Sequence, residues 1–495
     1  MSASRFAWVA PALVLAAFMW PLRLGFTDDG FIHLQYARNL IAHGEFAFNT
    51  GERSFGTTSP LWVTILAAIG AGLPDVESLI DLSRVLSWVA AFATLFVFYR
   101  LARGAGASRA FAMCATVALA ADAWLVRWSA LGMESSAATL AAAAMVWASL
   151  RAGDSAAAGA RFAVAAAVGA LFRPELYLAV PVFLAAAITL RPRPPVRVLA
   201  AVILVVAALL VPWLVFAKMH LGSFLPNTAG AKSGGVITDP VLFLSKFIPI
   251  AKIVMSTQGI AVLAMIADLV VSRRRAVVFD PALRFCVLWM LALPVAYVVF
   301  DIQVLSRYLL LITPAVCVVG WRSLEHVVGS YASRAALAAC ALAVVSNAAL
   351  YARVVLPPSR AFSEDLTGPM TDLAVYLRDH SPPDAVVAAA DIGYLAFYSE
   401  RRVLDLGGLV EPETGKLREA HDYEEIVARG LYFDVPGYPR VDYFVDRDHE
   451  ANRFDGRVVA GRLFQRVYAT EVRNLGIRKP GVYHYTLYHV TMVEP

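Results

Sequence analysis

The chain has 495 residues, of which 59% are hydrophobic and only 16% are charged. A soluble chain carries about 25% charged residues, so one wholly surrounded by water is excluded. The formal net charge of +5 is an average of two unlike parts. Residues 352–495 hold 39 charged side chains at a net −5, an ordinary soluble density, and residues 1–351 hold 42 at a net +10. The first part is therefore read as a polytopic membrane domain. No dense basic face lies outside the short loops, which argues against nucleic acid as a partner. The four cysteines all fall in apolar runs and read as small apolar fillers.

In chain order, apolar runs occur at about 6–26, 80–101, 110–126, 133–150, 162–190, 198–217, 250–271, 283–301, 306–321 and 335–352. The first lacks a small-x-small cleavage site and reads as a retained helix. The run 162–190 is too long for one straight span and contains Arg173-Pro174-Glu175, so it is expected to be two short helices meeting there. The fold expected is a polytopic α-helical membrane protein with about eleven spans. Pro60 to Leu73 is read as a re-entrant or interfacial helix. Arginines at 5, 100, 103, 109, 151, 161, 191, 193, 197, 273–275, 322 and 334 fall in alternate loops. The positive-inside rule places those loops and the N-terminus in the cytoplasm, and the tail outside. Arg84 and Arg127 go against the rule.

The outer face then carries the first loop, 27–79, and the loop 218–249, together with Glu134, Arg173, Glu175 and Arg307. Ionisable groups at membrane depth point to function by default. Asp28-Asp29 follow Thr27 and open a helical stretch, an arrangement that also serves ordinary helix capping. Emerging from the first span, one of the two can act as a general base. His33 lies one turn after Asp29, within hydrogen-bonding reach. A divalent metal on Asp28, Asp29 and His33 is possible, but no second cluster points to one. Arg173, Lys232 and Arg307 are the outer cations suited to phosphate, with pairing to Glu134 and Glu175 as the structural alternative. Pro357-Pro358 is read as the boundary of a tail over 357–495. There, Leu366–Asp379 is expected to be a helix. Strands are expected at Ala385–Ala390, Arg402–Leu406, Val441–Val445, Gln465–Val472 and Tyr483–Val490. The tail is expected to form a C-terminal α/β extracytoplasmic domain following a transmembrane domain over 1–356. Its aromatics (Tyr394, Phe397, Tyr398, Tyr432, Phe433, Tyr438) are either core or a sugar-stacking surface, and Asp391 and Asp405 are within possible reach of an acceptor.

The blocks DDGFIHLQYARNL (28–40), HGEFAFNTGE (43–52), TTSPLW (57–62), LGMES (131–135), RPE (173–175), LPNTAGAK (225–232), SRYLLLITP (306–314) and DIGYLAFYSERRVLDLGGL (391–409) occur in order. With them the chain resembles the GT-C superfamily of integral-membrane glycosyltransferases, which use polyprenyl-phosphate sugars. It is most similar to the branch that includes terminal arabinofuranosyltransferases of the cell wall. The resemblance implies transfer to a cell-envelope glycan, lipid or protein acceptor. It implies a first-loop base at Asp28, with Asp29 as partner or alternate, and donor-phosphate contacts at Arg173, Lys232 and Arg307. Further substrate contacts are expected at His33, Arg38, Glu134, Glu175, Asn227, Thr228 and Tyr308. After Asn227-Thr228 the chain reads AGAK, where relatives often carry bulkier aromatics. The other readings are a transporter or flippase of lipid-linked saccharide, and a non-catalytic glycan-binding assembly protein. No internal repeat favours a transporter.

Overall fold

The computed structural model describes residues 9–189, 193–228, 234–329, 332–438, 440–477 and 479–493. The chain divides into two units. One comprises Met1–Arg23, Arg84–Trp213 and Ser233–Leu356; the other comprises Leu24–Ser83, Leu214–Lys232 and Pro357–Pro495. The first loop and part of the loop after residue 213 thus cluster with the tail.

The first unit is helical. Among the described residues of the whole chain, five helices are long and apolar enough to cross a membrane: Ser78–Gly104, Val196–Leu221, Pro240–Arg275, Pro281–Val299 and Ser333–His380. The pair Arg109–Ala120 and Ala123–Ala130, bent by 54°, makes a sixth if it is one broken span. Shorter apolar helices cover Val9–Leu22, Pro60–Gly70, Ser135–Ser149, Ala156–Phe172 and Pro174–Thr189. The expected break in 162–190 falls at Arg173, which leaves the helix with φ −152° and ψ 125° before Pro174. Ser135–Ser149 and Ala156–Phe172 pack together, with Ala141 beside Gly169. Side chains that small let two helix backbones approach closely without a hydrophobic driving force from water.

A buried polar network fixes the bend after residue 120. Asp122 caps the helix Ala123–Ala130, accepting from the backbone N–H groups of Trp124 and Leu125 at 2.9 Å each. Its other oxygen accepts from Gln258 Nε2 at 2.6 Å, and Cys317 Sγ donates to Gln258 Oε1 at 2.9 Å. Gln258 itself is non-helical, with φ −110° inside Pro240–Ser272. Polar groups this deep persist only when bonded, and here they bond each other.

Pro357-Pro358 lie in the first turn of a helix, and the division between the two units falls at Leu356 and Pro357. The five-residue π-turn Tyr351–Val355 leads directly into the helix Leu356–Asp365. A π-turn alters the hydrogen-bond register just where the prolines lack N–H groups, so the helical path continues.

The second unit is built on a six-stranded sheet among the described residues: β1 (Val386–Ala389), β2 (Arg402–Asp405), β3 (Tyr443–Asp448), β4 (Val458–Val459), β5 (Arg462–Asn474) and β6 (Pro480–Met492). The order is β2-β1-β3-β6-β5-β4, parallel across β2-β1-β3 and antiparallel beyond. The expected strands are present, and the last two are longer than their apolar patterning suggests. The core beneath holds Leu404, Ile426, Tyr432, Phe433, Phe444, Phe464 and Tyr488. Tyr394, Phe397, Tyr432, Phe433 and Tyr438 are buried, so these rings are core rather than a sugar-stacking face. Asp405 is buried as well and anchors the turn after β2, accepting from the N–H groups of Gly407 at 2.6 Å, Val410 at 2.8 Å and Leu409. That occupation removes it from reach of an acceptor.

Candidate active site

In the second unit, Thr27 is extended and its side chain accepts from Gly30 N at 3.3 Å, starting the helix Asp28–His43. Capping places Asp28 and Asp29 in the first turn. The Asp28 side chain then does something no local pattern requires. Its Oδ1 accepts from the backbone N–H of Tyr394 at 2.8 Å, and the Gly393 N–H bonds it too. Residue 393 must be glycine for this approach. A Cβ there would stand 2.1 Å from the Asp28 carbonyl oxygen and 2.8 Å from Oδ1. Gly393→Ala is therefore expected to push the first loop off this turn and to lower stability by about 1–3 kcal/mol, read as a lower Tm.

Asp391 sits on the same turn. Its Oδ2 accepts from Arg447 Nη1 at 2.5 Å and from the Tyr485 hydroxyl at 2.6 Å. Arg447 and Tyr485 are directly paired across β3 and β6, so both side chains leave one face of the sheet. Burial pushes the Asp28 carboxyl up to about 8; the nearby Asp391 and Asp29 charges add to the rise, and the two backbone N–H groups oppose it. Burial, Asp391 and Asp28 likewise hold the Tyr394 phenol well above its ordinary range.

The other first-loop residues make scaffold contacts. His33 Nδ1 meets Thr57 Oγ1 at 2.8 Å, tying the helix to the TTSPLW turn. Arg38 donates to the Phe397 carbonyl at 2.8 Å. Asn49 acts as an extra strand residue against β2: its Nδ2 donates to Val403 O at 3.0 Å and its Oδ1 accepts from Val403 N at 3.1 Å. Glu52 joins Arg402 at 2.6 Å and the Tyr438 hydroxyl at 2.8 Å. Asn227 donates its backbone N–H to Phe55 O at 2.8 Å, and Thr228 is buried beside it. Lys232 lies outside the described residues.

The first unit holds a separate charged cluster. Arg173, 4% exposed, donates through Nη1 to Glu134 at 3.0 Å and through Nε and Nη2 to Glu175 at 3.1 and 2.5 Å. Its guanidinium carbon lies 4.6 Å from the Tyr308 ring centre. Arg307, also 4% exposed, lies over the rings of Trp128 at 5.0 Å and Tyr308 at 5.4 Å. The Trp128 indole is fixed by a 2.9 Å bond to Ser306 Oγ, and the Tyr297 hydroxyl touches Glu175 at 3.4 Å. Glu134, Glu175, Arg173, Arg307 and Tyr308 therefore converge. Arg173 is engaged by two carboxylates, and Arg307 is oriented by aromatic faces. Among the described residues no group of three or more His, Cys, Asp or Glu side chains is placed to hold a metal ion.

Sequence reasoning missed Gly393, Arg447, Tyr485 and Trp128. The block DIGYLAFYSE signalled the first, but Arg447 and Tyr485 become partners only through strand register.

Comparison with known proteins now has a geometry to rest on. Residues 361–488 match a family described as a domain of unknown function, DUF8728. No curated protein matches the chain. Among solved structures it is similar to ArnT from Cupriavidus metallidurans bound to undecaprenyl phosphate, at 13% identity and TM-score 0.61 over 100% of both chains. The apo form of ArnT matches at 15% identity and TM-score 0.58, over 82% of this chain and 86% of that one. The archaeal oligosaccharyltransferase AglB from Archaeoglobus fulgidus, in complex with an inhibitory peptide and a dolichol-phosphate, matches at 12% identity and TM-score 0.59. That match covers 90% of this chain and 70% of AglB. The chain thus shares the fold of ArnT and AglB, a set of long apolar helices followed by a sheet domain.

Proposed function

We propose that this protein is a membrane glycosyltransferase that moves a sugar from a polyprenyl-phosphate donor to a cell-envelope glycan, lipid or protein acceptor. The observation that carries the reading is the likeness in fold, over the whole of both chains, to ArnT with undecaprenyl phosphate bound. The same reading places the protein in a bacterial inner membrane with about eleven crossings. The N-terminus is cytoplasmic, and the first loop and the C-terminal domain are outside. The branch resemblance adds a pentose, arabinofuranose, as a candidate sugar.

The chemistry follows from the groups present. The acceptor hydroxyl oxygen forms a bond to the anomeric carbon while the bond from that carbon to the donor phosphate oxygen breaks. Asp28 takes the hydroxyl proton, with Asp29 as its partner, and the polyprenyl phosphate leaves as an anion. Direct displacement inverts the anomeric centre. A phosphate ester is a weakly basic leaving group, so no general acid is required. Cations stabilise the charge it gains, the roles given to Arg307, Lys232 and Arg173. Arg307, oriented by two rings, suits direct phosphate contact. Arg173, already engaged by Glu134 and Glu175, suits holding that contact in place. His33, Arg38, Asn227, Thr228 and Tyr308 shape the substrate sites.

The test is a transfer assay on the purified full-length protein in lipid nanodiscs with a panel of polyprenyl-phosphate pentoses and hexoses. Transfer is expected from at least one donor, with an inverted product. The rate is expected to rise with pH and level off above about 8, because the base must be unprotonated and the Asp28 carboxyl is raised to about 8. Movement of intact lipid-linked sugar across the bilayer without transfer would give the transporter reading instead. Glycan binding without either would give the assembly-protein reading.

A further inference from the structure

The reading of the first-loop acidic pair as a base leaves Asp391 without a task, yet its surroundings are closely specified. Arg447 and Tyr485, cross-strand partners on β3 and β6, both bond its Oδ2. Two and three residues further on, Gly393 and Tyr394 give their N–H groups to Asp28. One turn therefore carries two carboxyl groups, its own and one captured from the first loop. They are treated differently. Asp391 has a guanidinium and a phenol, whereas Asp28 has two backbone N–H groups and the acidic neighbour Asp29. Lys479 is a further cation near Asp391. Tyr394 is fully buried on this turn. Among the described residues its hydroxyl bonds to nothing, although both carboxyl groups lie close enough to act on it. Where two neighbouring carboxyl groups have unequal support, the less supported one holds a proton more strongly.

We propose that Asp391 is a positioning residue for Asp28: clamped by Arg447 and Tyr485 on the turn that anchors the first loop, its charge makes Asp28, rather than Asp29, the proton-accepting carboxyl. This rests on the base reading given above, and it explains why the loop is anchored through the Asp28 side chain.

The test reads Asp28 directly and needs no substrate. The infrared band of its protonated carboxyl is followed as a function of pH in the full-length protein in nanodiscs. The band is assigned by its loss in Asp28→Asn. The wild-type band is expected to titrate near pH 8. In Asp391→Asn the proton affinity of Asp28 is expected to fall at least tenfold, and Asp391→Glu is expected to restore it. Because Asp391→Asn leaves a part-buried guanidinium without its carboxylate, the double variant Asp391→Asn/Arg447→Gln is measured as well and is expected to show a fall of the same sign. An Asp28 band unmoved in both overturns the proposal, as does a wild-type band that titrates in the ordinary carboxylate range. If the band moves but Asp28→Asn retains full transfer, the base reading fails and the coupling of Asp391 to Asp28 stands.

Discussion

Asp28→Asn is expected to lower transfer by about 10²–10⁴-fold, the contribution of a positioned general base, while leaving the protein folded. The separation of activity from stability follows from the local geometry. Asparagine keeps an Oδ1 that can accept from the Tyr394 N–H as Asp28 does at 2.8 Å. The linkage sign points the same way. The Asp28 carboxyl is raised from 3.8 to about 8, so the folded protein binds this proton more tightly than the unfolded chain. Stability is therefore lost as pH rises between about 4 and about 8, and Asp28→Asn removes that loss. The variant should be at least as stable as the wild type at pH 8, measured by thermal unfolding, while transfer collapses. Asp29→Asn is expected to have the smaller effect. Equal transfer by wild type and Asp28→Asn would remove Asp28 from the chemistry.

Arg173→Ala is expected to show the opposite balance, with a loss of folded protein preceding any effect on turnover. Glu134 is 0% exposed, and the wild-type guanidinium bonds both it and Glu175. Removing one partner of a buried ion pair costs about 3–5 kcal/mol, because the charge left behind has no compensation. Domain stabilities are only about 5–15 kcal/mol, so the yield of folded protein should fall sharply. The double variant Glu134→Gln/Arg173→Ala still leaves Glu175 and should recover only part of the loss. Arg307→Ala separates the two cations. Its guanidinium lies over Trp128 and Tyr308, and a lost charge-assisted bond to phosphate costs about 1.5–3 kcal/mol, or roughly 10–100-fold in donor affinity. Binding of polyprenyl phosphate, measured by titration, checks this. Unchanged affinity in Arg307→Ala would take Arg307 out of the phosphate role.

The sequence was legible where the signal is local. The fall in charge density before residue 352, the break at Arg173-Pro174 and the strands of the tail all depend on hydrophobicity, a proline or a period of two. Those properties act within a few residues, and the structure has them where the chain indicates. The first-loop acidic pair was legible for the same reason, as a capped helix start.

Tertiary structure alone decided which groups meet. Asn49 and Val403 are joined as if they were strand neighbours, 354 residues apart. Arg447 and Tyr485 act together on Asp391 because β3 and β6 pair in one register; a shift of one residue would turn one of them to the other face. Sequence by itself specified the charge-poor helical part, the strands of the tail and the capped acidic pair. The raised proton affinity of Asp28 depends on desolvation and on a charge 363 residues further along the chain. Coulomb interactions and burial are set by distance in space, which the order of residues along the chain does not contain.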